Sequence, residues 1–294
     1  MTSSANLHSA IIDRMAAGWI AFGCPLEGPS EETVVDPEAL VAVTVELGTA
    51  DPRIFEAALA WCAAHGQFIN STRLRRVAAE MGTNADSLAS FAGSVAASGG
   101  PAWPMAQAGE PAEIRYRPGL QDLASASTLV WRARAAFGVN VRADIISALL
   151  TAPVPHLTVA ELAQRTRFGK RNVAQALIGM NMAGVVEIER RGNQDHVQLG
   201  PGLPVSGWLA TGPRQPDWPS RWRVGLVLLG WDGLGDSSAV VRAVEARTLV
   251  ERLAPVLSAA ALPKPDLRIL GVAFADEFDS WLSLVAAAFR TLAG

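Results

Sequence analysis

Lysine is nearly missing from this chain of 294 residues: it stands only at 170 and 264, against a combined Lys and Arg count of 25. With the alanine excess, that ratio is the coding bias of a GC-rich genome and carries no function. Cysteine is as scarce. Cys24 and Cys62 fall in separate expected elements and form no CxxC pair, so they read as small buried hydrophobes rather than ligands or a disulfide. The four histidines, His8, His65, His156 and His196, are dispersed and offer no HxxxH or HExxH spacing, which leaves metal chemistry without donors. Catalytic signatures are missing too. There is no GxSxG, no kinase set and no paired nucleophile and base, so no catalytic residue, metal or cofactor is assigned and an enzyme is not expected. The glycines of 230–236 lack a preceding strand and a GK[ST] ending, and Asp276, Glu277 and Asp279 sit where a helix start favours acids regardless of chemistry.

Long apolar runs are absent. The most apolar segment, 224–231, is far shorter than the roughly 20 residues that cross a bilayer, and no basic residue precedes Arg14, so neither a membrane span nor a leader is expected and the location reads as cytoplasmic. Charge is sparse at 18% while half the residues are hydrophobic. That balance belongs to a folded chain, and its length suits about two domains.

The patterning is mainly α. Residues 5–22 carry Ile11, Ile12, Met15, Trp19 and Ile20 at helical spacing. Asp36-Pro37 and Asp51-Pro52 each pair a capping Asp with a Pro at the first helical position, which predicts two further helices, the second burying Phe55, Leu59 and Cys62. Ser71 or Thr72 caps the next, Met81-Gly82 makes a turn, and Asn84 opens another. Ala78, Gly82 and Leu88 repeat the offsets of Ala163, Arg167 and Val173 further on, so 71–97 reads as a degenerate helix-turn-helix or as two ordinary packed helices. Its second helix holds Asp86 and no basic residue, and contact with phosphates there would be repulsive. A helical N-terminal domain is therefore expected over 1–100, a Gly/Pro/Ala-rich linker over 101–119, a long helix over 120–138, and a helical region over 201–294 in which Trp218, Trp222, Val227 and Trp231 form core or a dimer seam.

The informative stretch is 141–199. A helix with Ile145, Ile146, Leu149 and Leu150 stops at Pro153 and Pro155. Thr158 and Glu161 have capping-box spacing, so a second helix starts there and buries Val159, Leu162 and Ala163. After a turn at Phe168-Gly169, a third helix places Val173, Ala176, Leu177 and Met180 in one stripe, with Arg171, Gln175, Ile178 and Met182 opposite and Asn172 on the flank. Gly184 ends it. Gly192-Asn193 then suits a type II′ hairpin whose register sets Val186 opposite Leu199, Ile188 opposite Val197, Glu189 opposite His196 and Arg190 opposite Asp195.

This order of three helices and a two-stranded hairpin, with Ala163, Val173, Leu177 and Gly184 at their spacings, resembles the winged helix-turn-helix superfamily of bacterial transcription regulators. The resemblance covers 141–199, about 60 residues, and with its leading helix the domain is expected over 120–200. Arg167 departs from it, standing where many such units place a glycine. The resemblance implies double-stranded DNA as partner, with the helix over 170–183 in the major groove and the wing at 186–199 on the adjacent backbone. Arg171, Asn172 and Gln175 would then read bases, since Arg suits guanine and Asn or Gln adenine. Lys170, Arg165, Arg167, Arg190, Arg191 and Asn193 would complete the DNA-binding set, mainly on phosphates.

Local charge agrees. Residues 141–199 hold seven Lys and Arg against five Asp and Glu, a net of +2 inside a chain of −3. Basic residues gathered on one unit of an acidic protein are the asymmetry of a DNA-contacting patch. The expectation is a transcriptional regulator acting as a homodimer on a pseudo-palindromic site. The alternative is a non-enzymatic regulatory subunit, of the toxin-antitoxin or phage-defence type, whose winged unit docks a protein. The residues name no effector.

Overall fold

A computed structural model describes residues 3–48, 50–115, 118–119, 125–203, 214–231 and 237–291. Among these the chain is mainly helical, with one small antiparallel sheet, and no helix is long and apolar enough to cross a membrane.

Local chemistry accounts for the first five helices. α1 (Ser3–Ala21) buries Leu7, Ala10, Ile11, Met15 and Trp19 at spacings of three and four. α2 (Pro37–Leu47) and α3 (Pro52–His65) start as their Asp-Pro pairs predict, the Asp36 and Asp51 side chains accepting from the backbone N–H groups of Ala39 and Arg53. α4 (Ser71–Met81) is capped by Asn70, one residue before the predicted Ser or Thr. Gly82 closes it at φ +84°, where a Cβ would be strained, and Asn84 caps α5 (Ala85–Ala97). Leu74, Val77, Leu88, Phe91 and Val95 of α4 and α5 are all buried in the body's core.

Residues 98–115 form neither helix nor strand, as a linker should, but they do not separate domains. Trp103 is buried and donates from Nε1 to the Gly66 carbonyl, and the Gln107 N–H donates to the Ala89 carbonyl of α5. The crossing is so close that a Cβ on Gly93 would lie 2.2 Å from the Gln107 oxygen.

The two ends of the chain share one core. α10 (Trp218–Leu229), α11 (Ala239–Leu257) and α12 (Ala273–Arg290) bury their apolar faces in the same cluster as α1–α5, with α1 lying along α12. Arg14 ties that pair, donating from Nε to the Phe289 carbonyl at 2.6 Å and from Nη2 to the Arg290 carbonyl at 2.7 Å, a cation on the C-terminal end of a helix. Trp218 and Trp222 stack at 5.3 Å inside this core. α11 stops at Leu257, with Pro255 in its last turn. Cys24 and Cys62 are buried free thiols, and burial pushes Cys24 up to about 12.

The predicted helix over 120–138 is shorter. After a 3-10 turn at Ala126–Thr128, α6 runs over Leu129–Phe137; residues 120–124 lie outside the described residues. α7 (Val141–Leu150), α8 (Val159–Thr166) and α9 (Lys170–Met182) follow, α8 with the full Thr158/Glu161 capping box. β2 (Val186–Arg191) and β3 (Gln194–Leu199) pair in the predicted register. Gly192 sits at φ +59° and Asn193 keeps an ordinary φ, as a type II′ turn requires. Two features differ from expectation. A short strand β1 (Leu157–Thr158) pairs with β3, making three strands instead of two, and Ile188 is exposed although its partner Val197 is buried. These elements have their own core of Ile145, Ile146, Leu162, Val173, Leu177, Val197 and their neighbours.

Between the two cores lies a buried ion network. Arg134 of α6 donates to Glu38 and, from Nε, to Asp144 at 2.9 Å, while Arg73 of α4 donates to Glu38 and, from Nη1, to Asp36 at 2.7 Å. Arg73 Nε also reaches the Thr166 carbonyl at the end of α8, at 2.9 Å. Every side chain in it is at most 7% exposed. Burial raises the Asp36 pKa, but the Arg73 charge and hydrogen bonds outweigh it and hold the carboxyl down to about 2, below the usual 3.8.

Two outcomes follow. Arg134→Met strands Asp144 without a cation, leaves Glu38 to Arg73 alone, and should cost about 3–5 kcal/mol in urea unfolding. A depressed carboxyl stabilises the fold above its unfolded pKa and loses that contribution as pH falls through the folded value, so the window is about pH 4 to 2. Asp36→Asn keeps the cap and should flatten the pH dependence of unfolding in that window, measured as urea midpoints at each pH.

Candidate nucleic-acid interface

The exposed side of α9 follows from its buried stripe. Val173, Ala176, Leu177 and Met180 face the small core, which turns Arg171, Asn172, Gln175, Ile178 and Met182 outward, all exposed. The start of this helix is unusual within the chain. Its N-cap is Gly169, which has no side chain to accept from the first turn, and no acid lies in that turn, whereas among the described residues eight α-helices are capped by a side chain and only α6 and α12 share the lack of one. The N–H groups of Lys170, Arg171 and Asn172 are therefore free of side-chain caps, at the positive end of the helix dipole. Lys170 and Arg171 are exposed and, among the described residues, in no ion pair. The far half of the same face is apolar: Ile178 is 55% and Met182 83% exposed.

The hairpin is less basic than its sequence suggests. Arg190 donates to Asp195 at 2.9 Å, and Arg191 donates to Glu189 at 2.6 Å with its other nitrogen 3.1 Å from His156 Nε2. Burial is negligible there, and the hydrogen bond from Arg191 is the main reason Glu189 titrates below its usual range. Such exposed pairs are worth less than about 1 kcal/mol and open readily toward a stronger anion. Asn193 is exposed at the tip beside them.

Two of the predicted contacts, Arg167 and Arg165, are less exposed than the α9 residues. Arg167 occupies the turn between α8 and α9 at φ +59°, with its side chain only 10% exposed. Its Nε donates to Glu80 of α4 at 3.1 Å and its Nη2 to Asp217 of α10 at 2.6 Å. Burial opposes its charge, yet these carboxylates raise its pKa. It braces three elements. Arg165 is half-buried and lines a cleft together with Leu150, Gln215 and Pro216.

Among the described residues no three His, Cys, Asp or Glu side chains gather as a metal-holding group. The start of α9 thus offers hydrogen-bond donors and cations on an exposed helix face.

Arg167 gives the outcome to measure here. Arg167→Ala should destabilise the fold by about 1.5–3 kcal/mol, since Glu80 and Asp217 each lose a charged donor. Arg167→Gly loses the same bonds but takes the left-handed backbone without strain, so it should be about 1–2 kcal/mol less harmful than Ala in thermal or urea unfolding. No protein-family model, curated protein or solved structure matches this chain.

Proposed function

We propose that the chain is a transcriptional regulator that binds double-stranded DNA, with 141–199 acting as a winged helix-turn-helix unit, α9 as the reading helix and the β2–β3 hairpin as the wing. One observation carries this reading: the N-terminal half of α9 presents Lys170, Arg171, Asn172 and Gln175 together, exposed, beside an uncapped helix start and with no acid in the first turn. That is the set a major groove selects. A phosphate satisfies the free N–H groups, and Arg, Asn and Gln match guanine and adenine edges. Arg191, Arg190 and Asn193 stand where a wing meets the neighbouring backbone, each arginine first giving up a weak surface pair. A homodimer on two half-sites completes the proposal. Val240, Val241 and Val244, all exposed near the start of α11, supply an apolar seam for it.

A second reading is favoured by the other half of the same helix. Ile178 and Met182 would sit on a protein partner of an interaction or regulatory subunit, docked along the C-terminal end of α9.

Fluorescence anisotropy against sites selected from a random DNA pool tests both. Arg171→Ala should weaken the best site by about 1–3 kcal/mol and blur preference at one base pair. Lys170→Ala and Arg191→Ala should weaken all sequences alike, each lowering the salt slope by about one unit. Met182→Glu should weaken binding through added like charge under the DNA reading and act only on a protein partner under the second. Identical, salt-independent behaviour of Arg171→Ala and the parent chain on every DNA would end the first reading.

A further inference from the structure

α4 belongs to the body, yet one stripe of it borders the segment that leads into α9. Arg73, Arg76 and Glu80 stand at i, i+3 and i+7, on one side of that helix. Both ends of the stripe touch the small unit: Arg73 Nε donates to the Thr166 carbonyl at 2.9 Å, and Glu80 accepts from Arg167 Nε at 3.1 Å. Arg76 lies between them along the helix. It flanks the buried Val77, so its side chain leaves α4 at the solvent edge of the same side. Lys170 and Arg171 open α9 just past Arg167.

The charges gathered here divide into engaged and open. Arg73 is buried between Asp36 and Glu38, and Arg167 is held by Glu80 and Asp217. Glu80 stands at i+4 from Arg76, where a helix ion pair would form. Its two carboxylate oxygens are instead turned to Arg167. Arg76 is exposed and, among the described residues, in no ion pair. Arg167 therefore takes up the acid that would otherwise neutralise Arg76. The neighbouring Arg75 is exposed as well, but it points about 100° away from Arg76 on the side remote from Arg73 and Glu80.

Duplex DNA is a continuous line of charge, with one negative charge per about 1.7 Å of its axis. A backbone that meets the uncapped N–H groups of α9 runs on past the edge of that helix, and the edge beside Arg167 is α4. We propose that Arg76 is a further phosphate contact, which carries the surface for duplex DNA from α9 onto the helical body. The inference rests on the DNA reading of α9 and adds to it a cation from outside the winged unit. The ion network and the Arg167 brace already fix α4 against the small unit, so the contact needs no ordering of one part relative to the other.

The test uses the full chain and a mixed-sequence DNA duplex, so that base preference does not enter, with fluorescence anisotropy at several salt concentrations. Arg76→Gln should lower the slope of log affinity against log salt by about one unit. Arg76→Lys keeps the charge and should retain the parent's slope, as should Arg75→Gln on the remote side. Urea midpoints equal to the parent's mark each variant as folded. A slope unchanged in Arg76→Gln while Lys170→Ala lowers it would overturn the inference and leave the reading of α9 standing. An equal loss in Arg75→Gln would overturn it too, as the sign of diffuse charge rather than a contact. A parent chain that binds no duplex ends the reading of α9, and this contact with it.

Discussion

Glu38 is fully buried at the start of α2 and accepts from two arginines, and the rest of the architecture hangs on that junction. Two guanidiniums hold three carboxylates there, drawn from α2, α4, α6 and α7. Taking such charges out of water is expensive, and attraction offsets the loss only when geometry and further hydrogen bonds are complete. They are complete here: the Asn70 N–H donates to Glu38, the Phe68 carbonyl accepts from Arg134, and the Thr166 carbonyl accepts from Arg73. The two larger apolar cores are separate clusters, and besides a small apolar cluster of Val34, Leu129 and Val130 the seam is joined by these directional bonds. A polar seam specifies one orientation, where an apolar one tolerates sliding.

The orientation matters because it aims α9. Arg167 adds a second fixed point at the turn that precedes the helix, reaching α4 and α10 at once. Both fixed points are ionic, so the direction of α9 depends on charges supplied by α2, α4, α6, α7 and α10. The face itself is divided, cationic and hydrogen-bonding at its start and apolar at its end.

What was legible in the sequence was local. Asp36-Pro37, Asp51-Pro52 and the Thr158/Glu161 box announce their helices because each cap acts within four residues. The hairpin register followed from Gly192 and the alternation around it. The apolar stripe of α9 was equally readable, and with it the exposure of Arg171, Asn172 and Gln175. What escaped was long-range. Glu38 reads locally as an acid favoured by a helix start, and nothing nearby says that Arg134, 96 positions on, will bury it. Arg167 looked like a free cation because its partners lie 87 residues before and 50 after it. Trp103 sits in a stretch whose Gly and Pro content speaks for a linker, though its ring is covered by the body. β1 was missed because two residues carry no period.

The pairing of α1 with α12 bears on how the chain is made. At about 5–20 residues per second of synthesis, the partner of α1 arrives on the order of ten seconds or more after α1 itself. The unit of α7, α8, α9 and the hairpin draws its core from 145–203 and closes within that interval, from contacts already present. The body stays open around it until Phe274, Trp281 and Phe289 appear, and its apolar helices are a surface for chaperones in the meantime. The segment that would touch DNA is therefore finished early, inside a protein whose framework is completed last.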